Sequence, residues 1–254
     1  TKYTIMIIKE IFMEAEKQKH KIDMLNGPIW NKIPRFALPV APTGILEQLF
    51  NASDVAIVGN FTGSKSTIAV AAVGASSPVI GLILNLFIGI ALGATVVIAN
   101  AIGSGDRETV KHSVHTSIVV SLIGGVIVAL IGELFAGKLL GMLNVPDEVF
   151  PYALLYLRIY LLGLPTIFLY NFEAAIFRSI GETKIPLKAL AISGVLNVIL
   201  NLFFVIVLKM TVNGVAIATV ISNVVSSAIL YRKLLKSERE IHVETRELRI
   251  DLAV

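Results

Sequence analysis

Six apolar runs alternate with short polar breaks along the chain, at 36–58, 68–102, 113–135, 150–178, 186–208 and 212–231. A helix that crosses a lipid bilayer needs about 20 mostly apolar residues. The pattern therefore predicts six membrane-spanning helices. The breaks have turn chemistry: GNFTGSKS at 59–66, GSGDRETVKH at 103–112, NVPDE at 144–148 and GETK at 181–184. Only residues 209–211 separate the last two runs, which makes them antiparallel neighbours. Strands of a membrane barrel are about 10 residues long and alternate in polarity. These runs are longer and do not alternate.

The basic residues orient the helices. Lys32 and Arg35 precede the first run. Arg107 and Lys111 lie between the second and third, and Arg178, Lys184 and Lys188 between the fourth and fifth. Arg232, Lys233 and Lys236 follow the sixth. The opposite loops hold one each, Lys65, Lys138 and Lys209. Lys and Arg collect on the cytoplasmic side, so both termini are expected in the cytoplasm, in agreement with an even number of spans.

Composition agrees. The 254 residues are 55% hydrophobic and 16% charged, with a mean hydropathy of +0.80. Soluble domains carry about 25% charge, so the chain reads as an all-α integral membrane protein and not as a soluble or disordered one. It has no cysteine, which excludes disulfide scaffolds, thiolate metal sites and cysteine nucleophiles. Residues 1–31 are read as a cytoplasmic segment of uncertain nature. They are either a surface amphipathic helix or sequence translated upstream of Met24, and they lack the pattern of a signal peptide. Residues 32–235 form a six-helix unit, and 236–254 a cytoplasmic linker. The chain begins at Thr1 and stops at Val254 after a charged stretch, which suggests a fragment.

Polar residues inside apolar runs are the candidate chemistry, because an ionisable group at the bilayer centre costs about 2.5–3.5 kcal/mol. Glu47, Asn51 and Asp54 in the first run are spaced four and three apart and share one helix face, with Gln48 beside them. Asn197 and Asn201 in the fifth run are also four apart, and Thr219 is central in the sixth. If Asp54, Asn197, Asn201 and Thr219 converge, they offer one carboxylate and several neutral oxygens. That set suits a hard cation such as Na+, and the carboxyl group alone suits a proton. The competing reading is that these side chains only hold helices together. Glu173 is expected to pair with Arg178, Arg158 to reach the outer interface, and Glu133 to be interfacial. Pro78 and Pro165 are expected to interrupt the second and fourth helices.

Other patterns carry little. His112 and His115 form an HxxH pair without an acidic partner, and two glycosylation sequons include one, at Asn51, inside a span. There is no Walker A sequence, catalytic triad or nucleotide site, so neither an enzyme nor an ATP-driven pump is indicated, and no cofactor is implied.

Taken in order, the motifs resemble a known family. PRFALPVAPTGILEQLFNASDVAIVGNF at 34–61, VGASSPVIGLILNLFIGIALGATVVIANAIGSGD at 73–106 and YLRIYLLGLP at 156–165 are similar to the N-terminal half of multidrug and toxic compound extrusion (MATE) transporters. FRSIGETKIPL at 177–187, LNVILNLFF at 196–204 and NGVAIATVIS at 213–222 continue the resemblance. It covers about 200 residues, from Ile33 to Leu235.

The resemblance implies one six-helix lobe of a twelve-helix antiporter in the cell (inner) membrane. Such a protein exports small organic cations or drug-like substrates in exchange for H+ or Na+, by alternating access. Asp54 matches the family's acidic residue in the first helix, Asn197 and Thr219 the N-lobe cation site, and Asn171 a further site Asn. Glu47, Gln48 and Asn51 become cavity-lining candidates, and the only metal implied is Na+ at Asp54. Many relatives have Asp at the position of Asn201, so Asp54 would be the main titrating group here. The implied partners are the bilayer, the substrate and a missing C-terminal lobe or a second copy of the chain, with no nucleic acid. The alternatives are a flippase of a lipid-linked saccharide or another amphiphile with the same fold, and a structural or regulatory membrane subunit that does not transport.

Overall fold

A computed structural model describes residues 32–237 and 241–243, with side chains described from Thr43 onward. The readings for 1–31 and for most of the linker lie outside the described residues. The backbone forms seven α-helices among the described residues: α1 (Lys32–Phe61), α2 (Ser66–Ser104), α3 (Arg107–Met142), α4 (Phe150–Leu162), α5 (Leu164–Ser179), α6 (Lys184–Leu202) and α7 (Val212–Leu235). A π-helical turn, Phe203–Val207, ends α6.

Four helical segments (α2 with its preceding short turn, α3, α6 with the π turn, and α7) are long and apolar enough to cross a membrane. The bent pair α4–α5 makes a fifth. The sixth expected span, the first in the chain, is helical but falls outside this set. Its own polar stripe, Glu47, Gln48, Asn51 and Asp54, dilutes its apolar character.

Of the two expectations about proline, the one for Pro165 is met and the one for Pro78 is corrected. The run 150–178 is not one helix: it breaks at Gly163 and bends by 50°. Pro165 has no N–H, and in an unbroken helix its ring would crowd the carbonyl of Leu161. Beyond the break the Gly163 carbonyl accepts from the Thr166 and Ile167 amides, each at 3.1 Å, and from Thr166 Oγ1 at 2.8 Å. Pro78, by contrast, lies inside an uninterrupted 39-residue α2.

The helices pack as one bundle in which α2 and α5 run parallel, as do α1 and α6: Phe87 meets Phe168 and Thr95 meets Ala175, while Phe50 meets Gly194 and Asp54 meets Asn201. The closest associations are α3 with α5, α6 with α7, α2 with α5, and α1 with α6. The α6–α7 pairing bears out the short connection read from the sequence. Apolar side chains also cover the outside of the bundle. Leu134 is 82% exposed and Leu82 is 74% exposed, which is the surface a bilayer covers.

Inside, one cluster gathers around Leu157, Leu161, Phe168 and Phe172, with Phe87 stacked on Phe168 at 3.7 Å. A second, at the α2–α3 turn, gathers Ile98, Val114, Ile176 and Leu234, and Ile241 and Val243 beyond α7 are buried in it.

The α2–α3 turn ends on an exposed cap. The Asp106 carboxylate accepts hydrogen bonds from the Thr109 hydroxyl at 2.7 Å and the Thr109 amide at 3.0 Å. These bonds, the hydroxyl's first, hold the Asp106 carboxyl below the usual carboxylate range. A folded value below the unfolded one stabilises the fold above the unfolded value, and this is lost as pH falls through the folded value. Asp106→Ala is therefore expected to lower the melting temperature at neutral pH and to have no effect in strong acid. An equal loss at both pH values would show that the cap contributes through something other than its charge.

Candidate functional site

Four of the polar residues read from the sequence do converge. Asp54 on α1 and Asn197 on α6 are each 4% exposed, and Asn201 is 0% exposed. The Asn201 Nδ2 donates to Asp54 Oδ1 at 2.6 Å and to Asn197 Oδ1 at 3.0 Å. From α7, the Thr219 hydroxyl lies 3.2 Å from Asp54 Oδ2 and 3.0 Å from the Val215 carbonyl. Its single hydrogen serves one of these acceptors at a time. Asn197 Nδ2 donates to Thr219 Oγ1 at 3.2 Å. Each carboxylate oxygen of Asp54 thus has a neutral donor beside it, drawn from a different helix.

Within this cluster, Asn201 Oδ1 is buried with no hydrogen-bond partner among the described residues. A buried polar atom without a partner costs about 1–3 kcal/mol. Turning the Asn201 amide would place that oxygen against Asp54, where only a cation or a proton on the carboxyl could sit between them. The donor set therefore fits a hard monovalent cation or a proton. Among the described residues no group of three His, Cys, Asp or Glu side chains is placed to hold a metal ion.

Steric fit sets how close α1 comes to α6. A Cβ on Gly194 would lie 1.7 Å from the Phe50 ring, so only glycine leaves room for the ring. Phe50 and Asp54 are four apart on α1, and Gly194, Asn197 and Asn201 are at i, i+3 and i+7 on α6. The same two faces therefore carry both the close contact and the polar cluster. Gly194→Ala is expected to displace the ring and destabilise the fold by about 1–3 kcal/mol. Adding Phe50→Ala should recover part of that loss in a thermal melt. No recovery would mean that the ring does not set the helix spacing.

The cluster opens onto a cavity of about 450 Å³ between α1, α2, α4, α5, α6 and α7. Glu47, Gln48, Asn51 and Asn171 line it, as do Asp54, Asn197 and Thr219. Asn201 lies behind the wall. In the wall, Asn171 Nδ2 donates to its own helix, to the Ile167 carbonyl at 2.8 Å. Arg178 lies within electrostatic reach of Glu47.

Sequence reasoning missed several wall residues. Asn223 stands one turn beyond Thr219, a signal that the i, i+4 rule could have used. Tyr156, Tyr160 and Tyr170 also line the cavity, but their types and spacing do not separate them from ordinary core aromatics. No Lys or Arg appears in the wall among the described residues.

One expected pairing is corrected. Glu173 does not pair with Arg178. Five residues put them about 140° apart around a helix, and Glu173 instead accepts a hydrogen bond from Ser227 at 3.0 Å. Arg158 Nε lies 3.5 Å from Glu133 Oε2, a pairing that the sequence reading did not anticipate.

Known proteins are similar to this chain in sequence and fold. The MatE family model matches residues 39–203. The probable multidrug resistance protein YoeA of Bacillus subtilis is 28% identical over 220 residues, covering 85% of this chain and 47% of YoeA. The FAD transporter of Shewanella oneidensis is 24% identical, covering 83% of this chain and 47% of that protein. A crystal structure of MATE in the bent conformation superposes with a TM-score of 0.80 at 27% identity, covering 88% of this chain and 49% of the other. The chain spans about half the length of the relatives it matches. A family model matched over more than half of the chain, on a bundle that superposes on a solved transporter, identifies this multi-pass membrane chain as a member of the MATE family of transporters.

Proposed function

We propose that this chain is the N-terminal lobe of a secondary-active antiporter that exports small organic cations or drug-like compounds in exchange for H+ or Na+. The observation that carries this reading is the buried Asp54–Asn201–Asn197–Thr219 cluster at the edge of a polar cavity. Packing glue alone would not need a carboxylate there, nor leave the Asn201 carbonyl oxygen without a partner.

The mechanism is exchange by alternating access. Asp54 takes a proton or Na+ from the outer side, which changes how α1 sits against α6 and α7 and releases substrate. Substrate entering the inward-facing state displaces the ion. Coupling arises because the two states differ in affinity for the ion. Both chain termini lie on the cytoplasmic side, following the basic loops. A second lobe, or a second copy of this chain, completes the pathway.

Among the described residues the wall holds two carboxylates, Glu47 and Asp54, and no basic side chain. That favours a cationic substrate over the anionic headgroup of a lipid-linked saccharide. A fluorescent organic cation loaded into vesicles that contain the protein tests the reading. An inward H+ or Na+ gradient should drive its efflux, and a gradient-independent rate would favour a non-transporting subunit.

A further inference from the structure

We propose that Glu173 on α5 and Ser227 on α7 form a second proton-exchange site, joined to the Asp54 cluster by a line of hydroxyl and amide groups along α7. Glu173 is 0% exposed and does not line the cavity. Its Oε2 accepts one hydrogen bond, from Ser227 Oγ at 3.0 Å. Its Oε1 is buried with no hydrogen-bond partner among the described residues.

Among the described residues no ion pair balances a charge there. Of the helices packed against α5, α2 carries no titratable side chain. Buried His115 comes from α3, Lys184 and Lys188 from α6, and Arg232 and Lys233 from α7, while α4 contributes Arg158, which Glu133 engages. On α5 itself are Tyr170 and Arg178. None forms an ion pair with Glu173 among the described residues. A carboxylate with one neutral donor and no counter-charge is too costly to keep in an apolar interior. The species that fits the closed seam is a carboxylic acid holding its proton.

Polar side chains recur along α7 between Ser227 and the Asp54 cluster; in the closed seam the Asn223 amide and the Ser226 hydroxyl donate to backbone carbonyls of Thr219 and Asn223. Thr219, Asn223 and Ser227 recur every four residues and so share one face, spanning about 12 Å. Thr219 and Asn223 are in the cavity wall, as is Ser222, whose buried hydroxyl has no partner among the described residues. Ser226 lies one turn beyond Ser222 and is buried. Hydroxyl groups both donate and accept. When the seam opens, the Glu173 O–H bond breaks and the proton passes to entering water, directly or through a hydroxyl group that takes it and gives up its own hydrogen to that water in the same step. The carboxylate left behind keeps the hydrogen bond from Ser227. Each turnover would then exchange a proton at Glu173 as well as an ion at Asp54. The site extends the ion-coupled reading given above, but its occupancy can be observed without transport.

Infrared difference spectroscopy of the membrane-reconstituted protein, on a jump from mildly acidic to alkaline pH, reads the carbonyl stretch of protonated carboxyl groups. Glu173→Gln is expected to remove one band that Asp54→Asn retains, and Ser227→Ala to shift that band by removing its hydrogen bond. A spectrum that Glu173→Gln leaves unchanged overturns the proposal. Should Glu173→Gln fail to fold, the Ser227→Ala variant decides: a shifted band supports the site and an unshifted one overturns it. The coupling role of Asp54 is judged separately by ion-driven efflux in Asp54→Asn. A Glu173 band that persists when that role fails still supports a proton site here.

Discussion

Asp54→Asn is expected to remove the dependence of substrate efflux on the ion gradient while leaving the fold intact. The amide has nearly the same shape as the carboxyl group. The donated bond from Asn201 survives on its oxygen, and Thr219 can turn to accept from its nitrogen. The negative charge is lost, and with it the differential affinity for ion in the two states. Coupling free energies of this kind change affinity by about 5- to 150-fold, so the ratio of substrate affinities with and without ion should fall from that range to near unity. A melting temperature close to that of the parent chain would separate this effect from misfolding. A parent-like ion dependence in the variant would remove Asp54 from the mechanism.

The largest expected effect on stability is at Gly125. A Cβ there would lie 2.5 Å from Pro165 Cα and 3.0 Å from Pro165 N. Both are backbone atoms at the bend between α4 and α5, so neither can rotate away as a side chain would. Forcing extra atoms into a packed core costs about 1–3 kcal/mol and sometimes more. Gly125→Val, with two more carbons and no soft neighbour, is expected at or above about 3 kcal/mol. Gly137 provides the control on the same helix, since a Cβ there meets nothing within 4 Å. Thermal unfolding in detergent should show a large loss for Gly125→Val and almost none for Gly137→Ala. Similar melts for the two variants would mean that α3 does not press on the bend.

What could be read in the sequence follows from how unusual each signal was. Asp54, Asn197, Asn201 and Thr219 stood out because polar groups are costly inside apolar helices and because three- and four-residue spacing gives their faces. Their convergence depends on how α1, α6 and α7 pack, which spacing along one helix does not encode. Asn171 shows the limit: it reaches the cavity wall but spends its amide on its own helix. Glu173 shows another. Proximity in sequence suggested Arg178, whereas the partner is Ser227, 54 residues away on another helix. Pro78 and Pro165 carry the same local signal, yet only Pro165 coincides with a glycine next to the break and a close neighbour on α3. The first span illustrates the reverse problem. The residues that mark it as the functional helix also make it the least apolar of the expected spans.

Antiport is reciprocal: if an ion gradient moves substrate, a substrate gradient must move the ion. The most direct measurement is therefore ion flux in sealed vesicles containing the protein, recorded with a pH- or Na+-sensitive dye after a gradient of organic cation is imposed in the absence of any ion gradient. The coupling assigned to Asp54 predicts H+ or Na+ movement opposite to the substrate, lost in Asp54→Asn. Substrate movement with no counter-movement of either ion would contradict it.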